Sequence, residues 1–256
     1  MTTALADCLR TSQPAFGVSL TVADPFIAEL LGAQPFDFLL IDTEHAPISA
    51  SQLQTMLISL RYSRGSVVVR VSRNDEVEIM QALDLGADGV VVPHVETAQD
   101  CARAVQAALY PPAGTRGIGP RRVGRLAERA PYLQRANGET VVVIMIESPA
   151  GVENINAIAR VPGVGGVLIG MADLAASYGH VGEPSHPEVL KAVDRIGAGC
   201  RAASLPFGRH AGSAEEARQL LRTGARIVTL GSDVIFLQEA AARVLKAMEP
   251  LRDLAQ

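Results

Sequence analysis

Lysine is scarce in this chain, basic blocks are missing, cysteine occurs three times and no apolar run is long. Each shortage excludes something. With a net charge of -4, a pI near 5.8 and no cluster of Lys and Arg, the chain lacks the electrostatic footprint that binding a phosphate backbone requires. Nucleic acid is set aside as a partner. Cys8, Cys101 and Cys200 are odd in number, far apart and without metal-finger spacing, so they read as reduced thiols rather than a disulfide framework. The opening "MTTALADCLR" has neither a basic n-region nor an apolar core, and no later run is long enough to span a bilayer. The expected location is the cytoplasm, with no membrane involvement. Lys191 and Lys246, the two lysines, both fall in helical stretches, "HPEVLKAVDRI" and "AARVLKAMEP". Neither sits at a strand end, where it could form a Schiff base with a carbonyl substrate.

What the chain does have is apolar material in short pieces. The 256 residues are 48% hydrophobic and 20% charged, enough to bury a large core as one domain or at most two. Eight β-branched runs recur with helical stretches between them: "FGVSL" (16–20), "FDFLLID" (36–42), "SVVVRV" (66–71), "GVVVPH" (89–94), "TVVVIMIE" (140–147), "GGVLIG" (165–170), "LPFGRH" (205–210) and "RIVTLG" (226–231). Most are continuous rather than alternating, the pattern of parallel strands covered by helices. Between them, "NDEVEIMQALDLGADG" shows a helix with an Asn/Asp start, apolar positions at helical spacing and a terminal Gly. Eight strand–helix units in roughly 250 residues specify an α/β (β/α)8 TIM barrel, here a single domain over 1–256. The alternative, a doubly wound open sheet, usually has fewer strands and often a Gly-rich first turn, which is missing after "FGVSL".

Two segments stand apart. The stretch at about 110–139, "YPPAGTRGIGPRRVGRLAERAPYLQRANGE", is far longer than ordinary connections of roughly 4–6 residues, and reads as a lid, an interface or a disordered loop. The tail "SDVIFLQEAAARVLKAMEPLRDLAQ" reads as one long amphipathic helix able to cover the barrel or reach a neighbouring subunit.

In a barrel, the side chains that reach the active site come from the C-terminal ends of strands. The second run ends in Asp42, Glu44 and His45; the third carries Arg70; the fourth ends in His94, the fifth in Glu147, the seventh in His210; and Asp173 follows the sixth. Each has a bland reading on its own. Arg70 could neutralise a neighbouring carboxylate and Glu147 could be half of a structural ion pair. His94 and His210 read as strand caps, and His180 and His186, in "YGHVGEPSHPE", as solvated. Their coincidence on one rim favours function. Glu147 and Asp173, from adjacent strands and with no cysteine and no compulsory histidine nearby, suit a hard divalent cation such as Mg²⁺ or Mn²⁺. Such a cation leaves room for a 2-oxo acid, whose enolate it would stabilise, with Arg70 adding positive charge at the same oxygen. His45, oriented by Asp42, would move the proton, while Glu44 orients His45, a water or an Arg.

These residues resemble the HpcH/HpaI aldolases, metal-dependent pyruvate aldolases of the 4-hydroxy-2-oxoheptanedioate aldolase type. The motifs are "FDFLLIDTEHAP", "VVVRV", "LDLGADGVVVPHVETAQDCARAV", "YPPAGTRGIG", "VVVIMIESPAGVENINAIARVPGVGGVLIGMADLAASYG" and "HPEV", and they run through most of the chain in family order. The resemblance implies reversible cleavage of a 4-hydroxy-2-oxo acid to pyruvate, or an analogue such as hydroxypyruvate, plus an aldehyde. It implies Mg²⁺, Mn²⁺ or Co²⁺ on Glu147 and Asp173, enolate stabilisation by Arg70, and an Asp42–His45 acid–base dyad acting through water. It further implies that backbone N–H groups of Gly170, Met171 and Ala172 hold the 2-oxo-acid carboxylate, that Asp84 and Arg116 lie near subunit contacts, and that the barrel forms a homohexamer with terminal helices packed between subunits. The chain departs from the family pattern after the sixth run. Many relatives read Gly-Pro-x-Asp-Leu-Ser, whereas "GMADLAAS" has Met171 for Pro and Ala175 for Ser.

Two other readings compete. Gly231 and Ser232 in "TLGSD" could cradle a phosphate, as in a lyase or isomerase of phosphorylated or CoA-linked acids, though the same residues make an ordinary helix N-cap. A non-catalytic metabolite-binding barrel would have no need of an acid–base pair beside a metal pair.

Overall fold

The computed structural model describes residues 4–11, 13–123 and 128–249. Eight strands, β1 (Ala15–Leu20), β2 (Phe38–Asp42), β3 (Ser66–Arg70), β4 (Gly89–Val92), β5 (Val141–Ile146), β6 (Gly166–Ile169), β7 (Phe207–His210) and β8 (Ile227–Ser232), form a closed barrel in chain order. Every neighbouring pair is parallel, and β8 returns to pair with β1. The helices are α1 (Ala4–Arg10), α2 (Pro25–Gly32), α3 (Ala50–Ser59), α4 (Glu76–Asp84), α5 (Ala98–Ala108), α6 (Arg129–Glu139), α7 (Pro149–Ile158), α8 (Met171–Ser177), α9 (Pro187–Ala202), α10 (Ala214–Arg222) and α11 (Asp233–Met248). This is the (β/α)8 barrel read from the eight apolar runs.

Local chemistry sets the boundaries. Helix α4 begins where the Asp75 carboxylate accepts the N–H groups of Val77 and Glu78, and the chain leaves it at Gly86, whose φ of 104° suits glycine. Side chains alternate along each strand. Phe38, Leu40, Val68, Val91, Val143, Met145, Leu168 and Ile227 fill the barrel interior, together with Leu5, Ala6 and Leu9 of α1. Leu39, Ile41, Val67, Val69, Val90 and Val92 face the helices instead. Helix α1 therefore plugs the end where the strands begin, and the Leu5 N–H fixes it there by donating to Ser66 Oγ at 3.0 Å. The other end stays open. Two residues beyond Leu40 and Val68 on the inward face stand Asp42 and Arg70.

The long connection does not lie at that open end. It joins α5 to β5 and so runs past the strand starts, and its last eleven residues are helix α6; residues 124–127 lie outside the described set. A lid over the chain's own strand ends is thereby corrected, because a segment entering a parallel strand must approach it from the plugged end. Arg116 is buried there, its Nη2 2.6 Å from Asp84 Oδ1 and its guanidinium 4.4 Å from the centre of the Tyr110 ring.

Asp88, just before β4, accepts the Val67 N–H at 2.7 Å. Burial pushes its carboxyl up from the usual 3.8 to about 6, the Val67 donor opposing the shift and the Glu139 charge adding to it. A pKa raised in the folded state means that the folded chain holds more protons, so stability falls as pH rises from about 4 through about 6. Asp88→Asn keeps an acceptor for Val67 without the charge. Thermal melts should show it more stable than the parent at pH 8, by on the order of 2 kcal/mol, and indistinguishable from it near pH 4. A gap independent of pH would assign the effect to packing.

Cys8, Cys101 and Cys200 are unpaired, and burial pushes the Cys101 and Cys200 thiols up to about 12. Among the described residues no helix is long and apolar enough to cross a membrane.

Candidate active site

The polar residues expected at the strand ends meet around the open end of the barrel. Strands β2 and β3 pair in register with Asp42 beside Arg70. Arg70 Nε donates to Asp42 Oδ1 at 2.9 Å and Nη2 to Oδ2 at 2.6 Å, a two-pronged contact between inward-facing side chains. Asp42 Oδ1 also accepts the N–H groups of Glu44 (3.0 Å) and His45 (3.3 Å), folding "TEH" back over the strand end. Burial pushes the Asp42 carboxyl up, but the Arg70 guanidinium and the two backbone donors outweigh it, and Asp42 is held below the usual carboxylate range. On Arg70 burial acts to lower the pKa and is outweighed by the Asp42, Glu44 and Glu147 carboxylates, so the guanidinium stays charged.

Asp42 thus grips the backbone of His45 and the side chain of Arg70, not the imidazole. The His45 ring is largely exposed, with Nε2 3.8 Å from Glu44 Oε2. Glu44, inferred from sequence only as an orienting residue, is central. Its Oε2 lies 3.1 Å from Arg70 Nη1 and its Oε1 3.1 Å from His94 Nε2. Its Oε2 is buried without an aligned donor.

Glu147 follows β5 directly and is buried. Its Oε1 accepts the His94 N–H at 2.7 Å and lies 3.1 Å from His94 Nδ1. Burial pushes this carboxyl up, His94 pulls it down, and the charges of Glu44 and Asp173 push it up again, leaving it raised. His94 has φ 55°, the left-handed region that side chains rarely occupy, and that backbone turns both its N–H and its ring onto Glu147. Read from sequence as a strand cap, His94 instead links Glu147 to Glu44 and, through Glu44, to Arg70.

Gly170, after β6, supplies space. A Cβ there would sit 2.4 Å from Glu147 Oε2. Its own N–H donates to Ile146 O at 3.2 Å. Helix α8 starts next without a side-chain cap, and Met171 and Ala172, whose N–H groups belong to its first turn, line the cavity. Asp173 is exposed on that turn, close enough for its charge to act on Glu147.

Of these groups, Asp42, His45, Arg70 and Gly170 to Asp173 line a cavity of about 620 Å³, together with Met145, Gly182, Pro184, Arg209, His210 and Thr229. His210 faces it from β7 with Nδ1 3.3 Å from Thr229 Oγ1. A slightly larger cavity of about 690 Å³ lies beneath α1, lined by Arg10, Arg160 and backbone of the strand starts. It holds no acid–base constellation, so the smaller cavity is the chemical one. Asp84 and Arg116 pair with each other at the plugged end and do not join the site within one chain. His180 and His186, expected to be solvated, stack on each other at 3.4 Å.

The residues fit a hard divalent cation. Glu147 spends Oε1 on His94 and places Oε2 beside Gly170, Asp173 makes no hydrogen bond or ion pair among the described residues, and its charge pushes the Glu147 carboxyl up, a repulsion that a bound cation would relieve.

The family model for HpcH/HpaI aldolase/citrate lyase matches residues 16–240. The chain belongs to that family. It is an enzyme, a class II aldolase by that membership. It is 38% identical over 242 residues to 5-keto-4-deoxy-D-glucarate aldolase of Klebsiella pneumoniae, covering 94% of each chain. The crystal structure of an HpcH/HpaI aldolase/citrate lyase family protein from Burkholderia cenocepacia superposes with a TM-score of 0.92 at 34% identity, covering 96% of this chain and 99% of that one. An HpcH/HpaI aldolase from Desulfitobacterium hafniense gives 0.89 at 26% identity, covering 97% of each.

Proposed function

We propose that this aldolase reversibly cleaves a 4-hydroxy-2-oxo acid to pyruvate, or a close analogue such as hydroxypyruvate, and an aldehyde. The observation that carries the reading is the Glu147 carboxylate, fixed through Oε1 by His94 and open at Oε2, with Asp173 and Arg70 on the same rim. Glu147 and Asp173 would hold Mg²⁺, Mn²⁺ or Co²⁺, which supplies positive charge to the oxygens of the bound 2-oxo acid. Arg70, anchored by Asp42, keeps a charged guanidinium beside the oxygen on which negative charge grows. His45 is exposed at the mouth and exchanges the proton at C3, directly or through water. The Met171 and Ala172 N–H groups meet the substrate carboxylate. Met145 and Leu168 form an apolar floor that limits water at the reacting carbon.

A phosphate-handling reading loses its best support at β8. Ser232 Oγ accepts the Ile235 N–H, and the buried Asp233 carboxylate accepts the N–H groups of Thr21 and Val22. An acid already fills the place an anion would take.

The test is proton NMR of pyruvate in D₂O with enzyme stripped by a chelator and then given Mg²⁺ or Mn²⁺. Loss of the methyl signal only with cation supports the reading; no exchange with any cation, on pyruvate or hydroxypyruvate, refutes it.

We also propose a cytoplasmic homo-oligomer, with a hexamer as the expected state. Helix α11 leaves Leu237, Val244, Leu245 and Met248 exposed, and only Asp233 of the helix is buried. Leu237→Asp with Leu245→Asp should lower the molar mass measured by light scattering while far-UV dichroism persists. An unchanged mass would remove α11 from the interface.

A further inference from the structure

The connection from α8 to α9, residues 178–186, carries a cluster that the aldol chemistry does not use. It is built from successive turns. His180 N–H donates to Ala175 O at 2.8 Å, Glu183 N–H to His180 O at 3.0 Å and His186 N–H to Glu183 O at 3.0 Å. Gly179 and Gly182 have φ of 86° and 79°, and a Cβ on either would touch nothing, so backbone conformation and not space requires glycine there. These turns bring two imidazoles and a carboxylate together. The His180 and His186 rings stack with centres 3.4 Å apart, His180 Nε2 lies 3.0 Å from Glu188 Oε2, and one donor atom from each residue falls within 4.8 Å of the others.

We propose that His180, His186 and Glu188 form a second cation site, for a borderline transition ion of the Zn²⁺ kind, which fastens the α8–α9 connection at the mouth of the cavity. Two imidazoles and one carboxylate are a ligand set that Zn²⁺ accepts, with water completing the shell on the exposed side. The set differs from the all-oxygen pair of Glu147 and Asp173, so the two sites select different ions. An entering ion replaces the His180–Glu188 contact and requires the stacked ring planes to converge. His186 Nδ1 accepts only a long 3.3 Å contact from the Glu188 N–H, so directing Nε2 to the ion sacrifices little, and Pro187 at the start of α9 brings no N–H to be left unmet. Glu188, in the first turn of α9, supplies the negative charge that a cation at a helix start needs. The consequence reaches the cavity, because Gly182 and Pro184, inside the fastened segment, form part of its wall.

The experiment is calorimetric titration of Zn²⁺ into the full chain carrying Glu147→Gln and Asp173→Asn, with and without His180→Ala. The expected result is one Zn²⁺ per chain whose affinity falls at least tenfold with His180→Ala and equally with His186→Ala. Zn²⁺ binding that is absent from the first chain, or unchanged by both histidine substitutions, overturns the proposal. Far-UV dichroism and the melting temperature of the His180→Ala, His186→Ala and His180→Gln chains report folding; if the alanine chain fails to fold, the glutamine chain gives the reading. Zn²⁺ should also slow proteolytic cleavage within 179–186, and only when both histidines are present. None of these readouts depends on turnover, so failure of the aldolase reading would leave the test intact.

Discussion

Glu147→Gln should leave the barrel folded and lower cation-dependent exchange of the pyruvate methyl protons by on the order of 10²–10³-fold. The substitution preserves shape and tests one atom. The amide oxygen can still accept the His94 N–H as Oε1 does, at 2.7 Å in the parent, which turns the NH₂ group toward Gly170, where the parent carries a free carboxylate oxygen. An NH₂ group donates and cannot ligate a cation. Mn²⁺ titration should show the loss directly, and Asp173→Asn should weaken binding by removing a negative charge from the exposed side. Because burial raises the Glu147 carboxyl, a proton competes with the cation there, and cation affinity in the parent should tighten as pH rises through that raised value. Wild-type exchange by Glu147→Gln would remove Glu147 from the cation site.

Arg70→Lys should also cost turnover by on the order of 10²-fold with little change in cation binding. Arg70 makes its contacts as a fork, with Nε and Nη2 on Asp42 and Nη1 toward Glu44, and a lysine ammonium cannot occupy those positions together. Arg70→Met goes further and leaves the buried Asp42 and Glu44 carboxylates without the guanidinium they share, at a cost of about 3–5 kcal/mol in stability. The pH dependence separates this from a packing defect. Arg70 holds the Asp42 carboxyl low, so its contribution is present above the usual aspartate value and fades as pH falls through the lowered one. The gap in melting temperature between parent and Arg70→Met should therefore be wide at pH 7 and narrow below pH 4. A constant gap would mean that the side chain matters for its volume.

Much of this site was legible in the chain as letters. The eight apolar runs became eight strands because continuous Val, Ile and Leu serve a sheet covered on both faces, and Asp42, Arg70, Glu147 and Asp173 reached one rim because they end or follow those runs. The partners were not legible. That Asp42 grips Arg70 and not the His45 ring follows from the lateral register of β2 on β3, which no single run encodes. His94 reads as a strand cap because nothing in "VVPHVE" announces a left-handed backbone, and the carboxylates it meets, Glu44 and Glu147, stand at the ends of other strands. Gly170 was read for its N–H, whereas the missing Cβ is what Glu147 needs. Length alone leaves the segment at 110–139 open to being a lid, an interface or a disordered loop, because length carries no direction; its attachment to α5 and β5 decides which end of the barrel it meets.

The tie between Asp233 and the turn after β1 spans 212 positions of sequence, and β1 waits for β8 to complete its pairing. Strand order is therefore also an order in time. As the chain emerges from the ribosome, β1 has only β2 beside it and presents an unpaired edge until the last strand and its helix have been made. Closure is the longest-range event in the molecule and comes last. Because β1, β7 and β8 also contribute to the cavity wall, a nascent chain that already carries Asp42 and Arg70 still has an incomplete site until the ring shuts.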